Sequence, residues 1–260
     1  MKRSPGARLC ATAAIGALSL SLLTACSDEG SKDSADSKAS SSAGSSSSAP
    51  AAKALTTAEL EKLLLAQGEL KGYKSDSGDD TLPTSKSQVK TDKPACDPLA
   101  WATAGLAPGD TDANASNSVS EDKASSATVQ PEDIADAFDV DMTFVGLSSY
   151  EGDGAEKALK AVSDGVTACA GGYGLAADGE NTKVTKVAAE KGAAQGDEVV
   201  AFTEDVDMDG AGTAAFHTTV VRKGNTVATF YTVNFAAMTK GGDMGAIPAA
   251  VVDAQVAKLK

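Results

Sequence analysis

The stretch GTAAFHTTVVRKGNTVATFYTVNF, Gly212 to Phe235, decides the fold. Two runs rich in Val, Thr and aromatic residues alternate in character on either side of Lys223-Gly224-Asn225, a turn-forming group. A period of two sends successive side chains to opposite faces. The stretch therefore predicts a β-hairpin, and with it an antiparallel sheet that the rest of the chain must extend and cover.

Working outward, GDEVVAFTEDV (Gly196 to Val206) predicts a further strand, and TKVTKVAA (Thr182 to Ala189) a short, weak one. In FDVDMTFVGLSSY, Phe138, Val140, Met142 and Phe144 alternate as one face of another strand. Helical spacing enters with GAEKALKAVSDGVTACAGGYG, where Ala155, Leu159, Val162, Val166 and Cys169 recur every three or four residues until Gly171 and Gly172. IPAAVVDAQVAKLK predicts a last helix, with Pro248 in its first turn and Val252, Val256 and Leu259 on one face. LTTAELEKLLLAQGELKGYK opens with a capping box, Thr56 and Glu59, and a staple, Leu55 and Leu60. Its apolar face (Leu60, Leu63, Leu64) predicts a helix stopped by Gly68 or Gly72. CDPLAWATAG predicts a short helix with Asp97 as N-cap and Pro98 first, putting Cys96 at its start. Polar sequence near 75–93 and 107–130 reads as excursions from a single domain spanning 54–260. The expected class is α+β: an antiparallel sheet of about five strands, flanking helices and one disulfide.

The N-terminus reads differently. Lys2, Arg3 and Arg8 precede a diluted apolar run from Leu9 to Leu23, shorter than the roughly 20 residues a membrane-spanning helix needs. A basic region, a short apolar region and small residues describe an export signal. Leu23-Thr24-Ala25-Cys26 resembles the lipobox of bacterial lipoproteins. That resemblance implies cleavage after Ala25 and lipidation of Cys26, which would hold the protein on the extracytoplasmic face of the cell membrane. A plain secretory signal and an uncleaved signal anchor are the other readings. Residues 26–53 then form a Ser/Ala-rich tether too poor in apolar surface to offset the entropy of ordering.

Four cysteines divide accordingly. Cys10 leaves with residues 1–25, Cys26 takes the lipid, and Cys96 and Cys169 remain as an even pair in an oxidising compartment. A disulfide is expected, with two free thiols or a split metal site as alternatives; a single histidine argues against zinc. The formal charge is −13, and losing residues 1–25 removes three of 23 basic and none of 36 acidic residues, leaving −16. Such a chain is repelled by phosphate backbones and gains nothing from anionic lipid, so nucleic acid is a poor partner.

Catalytic motifs are sparse. Asp205 to Gly210, DVDMDG, begins like a calcium loop, but Phe216 stands where a bidentate Glu is needed, and an acidic β-turn is the expected reading. His217 is the lone histidine and sits mid-strand with no nucleophile motif beside it. Ser120-Glu121-Asp122-Lys123 fits S-x-x-K but lacks its companion motifs. G-x-S-x-G, G-x-G-x-x-G and P-loop signatures are missing. No cofactor, metal or catalytic residue is expected.

LTTAELEKLLL, GYK, CDPLAWA, VTAC, VVRKGNTVATF and IPAAVVDAQVAKL, taken together with the lipobox and tether, resemble actinobacterial sensor-type lipoproteins. These are similar to the extracellular sensor domain of mycobacterial receptor-type serine/threonine kinases. The resemblance covers about Leu55 to Lys260 and implies an antiparallel sheet, flanking helices, a disulfide and a ligand cleft. It carries no catalytic residue onto this chain, which has two non-lipid cysteines where the kinase domain keeps two disulfides. The expected function is a non-enzymatic binding or sensor-like module facing an unknown small ligand or envelope component. A scaffolding lipoprotein acting on envelope machinery is the alternative, and an envelope hydrolase using His217 a remote one.

Overall fold

The computed structural model describes residues 53–77, 82–122, 140–177, 179–192, 195–210 and 212–259. In chain order these form α1 (Thr57–Glu61), β1 (Tyr73–Asp76), β2 (Val89–Thr91), α2 (Asp97–Ala102), β3 (Asn114–Glu121), β4 (Asp141–Ser149) and α3 (Gly154–Ala168). There follow β5 (Tyr173–Ala177), β6 (Glu180–Glu190), β7 (Glu198–Asp207), β8 (Thr213–Lys223), β9 (Thr226–Asn234), α4 (Phe235–Met238), β10 (Gly242–Asp243) and α5 (Ala249–Ala257). Residues 1–52, and with them Cys26, the leader and nearly all of the tether, lie outside the described residues, as does Phe138.

The hairpin stands at the centre of the sheet. Lys223 pairs with Thr226 across Gly224-Asn225, and Gly224 adopts the positive φ (57°) that a glycine-first hairpin turn requires. The path runs β1-β3-β4-β9-β8-β7-β6-β5-β2, antiparallel throughout, and β10 adds in parallel to β8 at Ala214 and Ala215. The class is therefore α+β with an antiparallel sheet, but of ten strands rather than about five. The undercount has several sources: β1 and β2 fall in the polar stretch 75–93 and its margin, β3 falls in the Ser-rich stretch 107–130, and β5 and β10 are short runs of five and two residues without an alternating pattern. Neither stretch is a plain excursion.

Both faces of the sheet are covered, so adjacent residues of one strand can both be core. Val220 joins a layer with Leu99, Leu159, Val162 and Val166 of α2 and α3. Its neighbour Val221 joins Leu60 of α1 and Val251, Val252 and Val256 of α5. Cys96 and Cys169 are disulfide-bonded, with Cα atoms 5.9 Å apart, and tie the start of α2 to the end of α3. Closing that loop contributes roughly 4 kcal/mol in the chain-entropy picture.

Several outward backbone groups of the two outer strands have partners within the chain. On β1 the Tyr73 N–H donates to Leu70 O (3.2 Å) and the Ser75 N–H to Gln67 Oε1 (3.0 Å). On β2 the Val89 carbonyl accepts from the Trp101 indole N–H (3.2 Å), and the Thr91 N–H donates to Asp97 Oδ1 (3.3 Å).

Two helices differ from their sequence expectation. The capping box of α1 is complete, with Thr56 Oγ1 accepting from Glu59 N and Glu59 Oε2 accepting from Thr56 N. The helix nevertheless ends at Glu61, far short of Gly68, because the next backbone groups are taken from afar. Gln255 Nε2 donates to Leu63 O, Lys258 Nζ to Leu64 O and Asn117 Nδ2 to Leu65 O, while Leu65 N donates to Gln255 Oε1. In α2, Asp97 is the first helical residue rather than the N-cap; its carboxylate is engaged with Thr91 instead.

Candidate functional site

Alternation along β9 places Val227, Thr229, Tyr231 and Val233 on one face. Val227 lies under α3, but the cover stops before the other end of the strand is reached. Register carries the same face to Phe144 and Met142 of β4, opposite Tyr231 and Val233. The Phe144 and Tyr231 rings stack with centroids 4.9 Å apart. Leu82 borders this floor, and the chain after β9 turns into α4 to set Phe235 and Met238 along it. The result is a groove of about 540 Å³ lined by Leu82, Met142, Phe144, Tyr231, Val233, Phe235 and Met238, with Asp76 at the rim. Phe235 and Met238, 42% and 41% exposed, are the large hydrophobic side chains left most open among the described residues. Other depressions of similar size mix in charge: Glu156, Lys160 and Glu198 line one, Glu61 and Gln67 another. Of these depressions among the described residues, the groove is the one that combines an apolar floor with apolar walls, the usual character of small-molecule sites.

The wall is carried on a strap, Phe235 to Gly245, whose two ends are fixed. At its start Asn234 caps α4, its Oδ1 accepting from Ala237 N (2.8 Å) and its Nδ2 donating to Asp141 Oδ1 (2.7 Å). At its return Met244 is fully buried and its N–H donates to Ala215 O (2.9 Å). His217 of β8 meets the strap from the opposite sheet face, with Nε2 3.2 Å from Asp243 Oδ1. Its Nδ1 lies 3.1 Å from Glu190. Burial opposes the imidazolium, but the hydrogen bond and charge of Glu190, joined by Asp243, outweigh it and hold the His217 pKa above its usual value.

A second polar cluster is sealed beneath α2. Glu204 of β7 is fully buried, the Tyr173 hydroxyl donates to its Oε1 (2.5 Å), and Thr103 Oγ1 lies 2.8 Å from its Oε2. Thr103 in turn is 3.0 Å from Thr218 Oγ1. Burial pushes the Glu204 carboxyl well up, more than these hydrogen bonds pull it down. The same burial, with Glu204 alongside, holds the Tyr173 phenol protonated.

The residues singled out from sequence do not converge on a reactive centre. Both ring nitrogens of His217 face carboxylates, so neither stands ready to take a proton from a nucleophile. Asp205 and Asp207 belong to β7, Met208 N donates to Gly212 O (2.9 Å) before β8, and Asp209 stands at φ 42°. Among the described residues no three His, Cys, Asp or Glu side chains are grouped to hold a metal ion. Ser120 lies in β3, and Lys123 lies outside the described residues. Sequence reading missed the groove and Glu204. A signal for the groove exists: Met142, Met208, Met238 and Met244, every methionine after Met1, gather at this end of the sheet.

The described residues contain no helix long and apolar enough to cross a membrane. No protein-family model matches the chain, and no curated protein matches it. Among solved structures, the chain is similar to the extracellular domain of PknH from Mycobacterium tuberculosis, at 14% identity and a TM-score of 0.44, over 79% of this chain and 98% of that one. It is also similar to an uncharacterised Mycobacterium smegmatis protein, the Rv0999 ortholog, at 11% identity and a TM-score of 0.29, over 78% of this chain and 94% of that one. A mycobacterial extracellular domain is thus among the structures this chain is similar to, as the resemblance in its sequence expects.

Proposed function

We propose that the chain is a non-enzymatic, extracytoplasmic binding module, lipid-anchored through Cys26, that offers the groove beside Phe235 and Met238 to a small apolar ligand. The observation that carries this reading is the pair of exposed apolar side chains on a strap fixed at both ends, facing a floor of Met142, Phe144, Tyr231 and Val233. Leaving such groups open to water is unfavourable, and a preformed apolar site recovers that free energy when filled. The groove also lies far from where the chain joins the domain. Lys53 O accepts from Asn225 Nδ2 (2.8 Å) in the hairpin turn, about 24 Å along β4 from Met142.

Two measurements test the reading. Saturable binding of the neutral dye N-phenyl-1-naphthylamine, followed by fluorescence, should weaken at least about tenfold in the Phe235→Ser, Met238→Ser double variant, whose positions are exposed. Unchanged affinity would move the ligand elsewhere, and capture of an envelope protein that the double variant loses would favour the scaffolding reading. For the anchor, Cys26→Ala should shift the protein from membrane to soluble fractions; persistence on the membrane would exclude the lipid.

A further inference from the structure

Resting on the groove reading above, we infer that the occupant is a single flexible hydrocarbon chain whose head group is uncharged or cationic, and that anionic amphiphiles are selected against. Two independent observations carry this. The first is the walls. Met142 and Met238 line the groove and Met208 and Met244 pack behind it. Unbranched thioether side chains with three rotatable bonds re-pack around a flexible ligand more readily than branched ones do. Such a lining suits an acyl or prenyl chain, whose conformation varies, better than a rigid polycyclic ligand.

The second is the charge at the rim. Among the described residues, Asp76 is the one ionisable group on the groove's lining other than the Tyr231 phenol, and it is exposed at the edge where a head group would emerge. Lys74, the cation two residues away on the same face of β1, is already paired with Asp122 at 2.9 Å. A carboxylate or phosphate head would meet Asp76 with no free cation of β1 to offset it, against a background of −13 for the whole chain. An alcohol, an amide or a quaternary ammonium would not be penalised.

The test displaces bound N-phenyl-1-naphthylamine with three amphiphiles of equal chain length, each below its micellar concentration: dodecanol, dodecyltrimethylammonium and dodecanoate. Dodecanol and dodecyltrimethylammonium should displace the dye, and dodecanoate should be weaker by about three- to tenfold at low salt. Asp76→Asn should narrow that gap, and so should raised salt, since a rim charge is screened. Equal displacement by dodecanoate and dodecanol, with dye binding intact, would overturn the head-group selection and leave the groove reading standing. Displacement by none of the three, with dye binding intact, would overturn the chain assignment. Failure of the dye itself to bind would overturn the groove reading on which this inference rests.

Discussion

Replacing Glu204 with Gln should make the protein more stable, and increasingly so as pH rises. The side chain is fully buried between Tyr173 and Thr103, with its pKa raised by burial. A protonated carboxyl can satisfy the cluster completely. Thr103 Oγ1 donates to the ionised carboxylate at 2.8 Å; once protonated, the carboxyl O–H can donate to Thr103 instead and Thr103 to Thr218 at 3.0 Å, while Tyr173 donates to the other oxygen at 2.5 Å. A glutamine amide reproduces that pattern, N–H in place of O–H, with nearly the same shape. The difference lies in the proton. A group whose folded pKa lies above its unfolded value contributes stability that is complete below the unfolded pKa and is lost as pH rises through the folded one. Between the unfolded glutamate value, about 4.3, and the raised folded value, the wild type loses about 1.4 kcal/mol per pH unit from this residue alone. Glutamine has no such loss. Urea unfolding at several pH values from about 5 to 9 should therefore give two stability curves that converge at the acid end and separate towards the alkaline end. Glu204→Ala, by contrast, leaves the Tyr173 hydroxyl without its partner beside a cavity and should cost about 3–5 kcal/mol near pH 5, a cost that shrinks as pH rises because Ala, like Gln, lacks the proton-linked loss. A Glu204→Gln variant less stable than wild type by a constant amount would mean that the carboxylate is ionised in the fold, and the argument from burial would be wrong.

Gly146→Ala should destabilise by about 1–3 kcal/mol in the same assay, because a Cβ there would come 2.4 Å from Gly105 O and 2.6 Å from Thr229 Oγ1. Gly171→Ala, with open space around it, should be close to neutral; equal effects would show that backbone freedom rather than crowding decides. His217, followed by its ring-proton NMR shifts, should titrate above the usual histidine value, and Asp243→Asn should lower the midpoint. Its stabilising contribution is complete below the unfolded histidine pKa and fades as pH rises through the folded one, the same sense as Glu204 but in a higher window. An unmoved midpoint in Asp243→Asn would remove Asp243 from the account.

The hairpin, α3 and the Cys96–Cys169 pair were legible because each is specified locally: by alternation around a turn, by an apolar stripe, by the even pairing of the two cysteines left for an oxidising compartment. The strand β3 was not. NASNSVSE has little strand propensity, yet Asn117 and Ser118 are buried because β1 and β4 flank the segment on both sides. Packing context, not composition, makes it a strand. The early end of α1 was hidden for a related reason, since Gln255 and Lys258 act on Leu63 to Leu65 from some 190 residues away. The groove escaped detection because its residues come from a sheet face, a loop and a strap, and no periodicity links Leu82, Phe144, Tyr231 and Met238. Clustering of methionines was the one trace available, and it becomes meaningful only once the strands are paired.

The occupied backbone groups of β1 and β2 have a bearing on crowding. An open strand rim is a template on which a second molecule can grow, and many copies held side by side on a surface would meet rim to rim far more often than in solution. Here the Gln67 amide and Leu70 carbonyl take up two N–H groups of one rim, and the Trp101 indole and Asp97 carboxylate take up a carbonyl and an N–H of the other. These plugs come from the chain's own neighbouring segments, so they are in place as soon as the domain folds and need no partner. Crowded copies of the domain then have fewer open backbone groups to pair through, and Trp101→Ala, by unplugging Val89, would be the substitution that restores one.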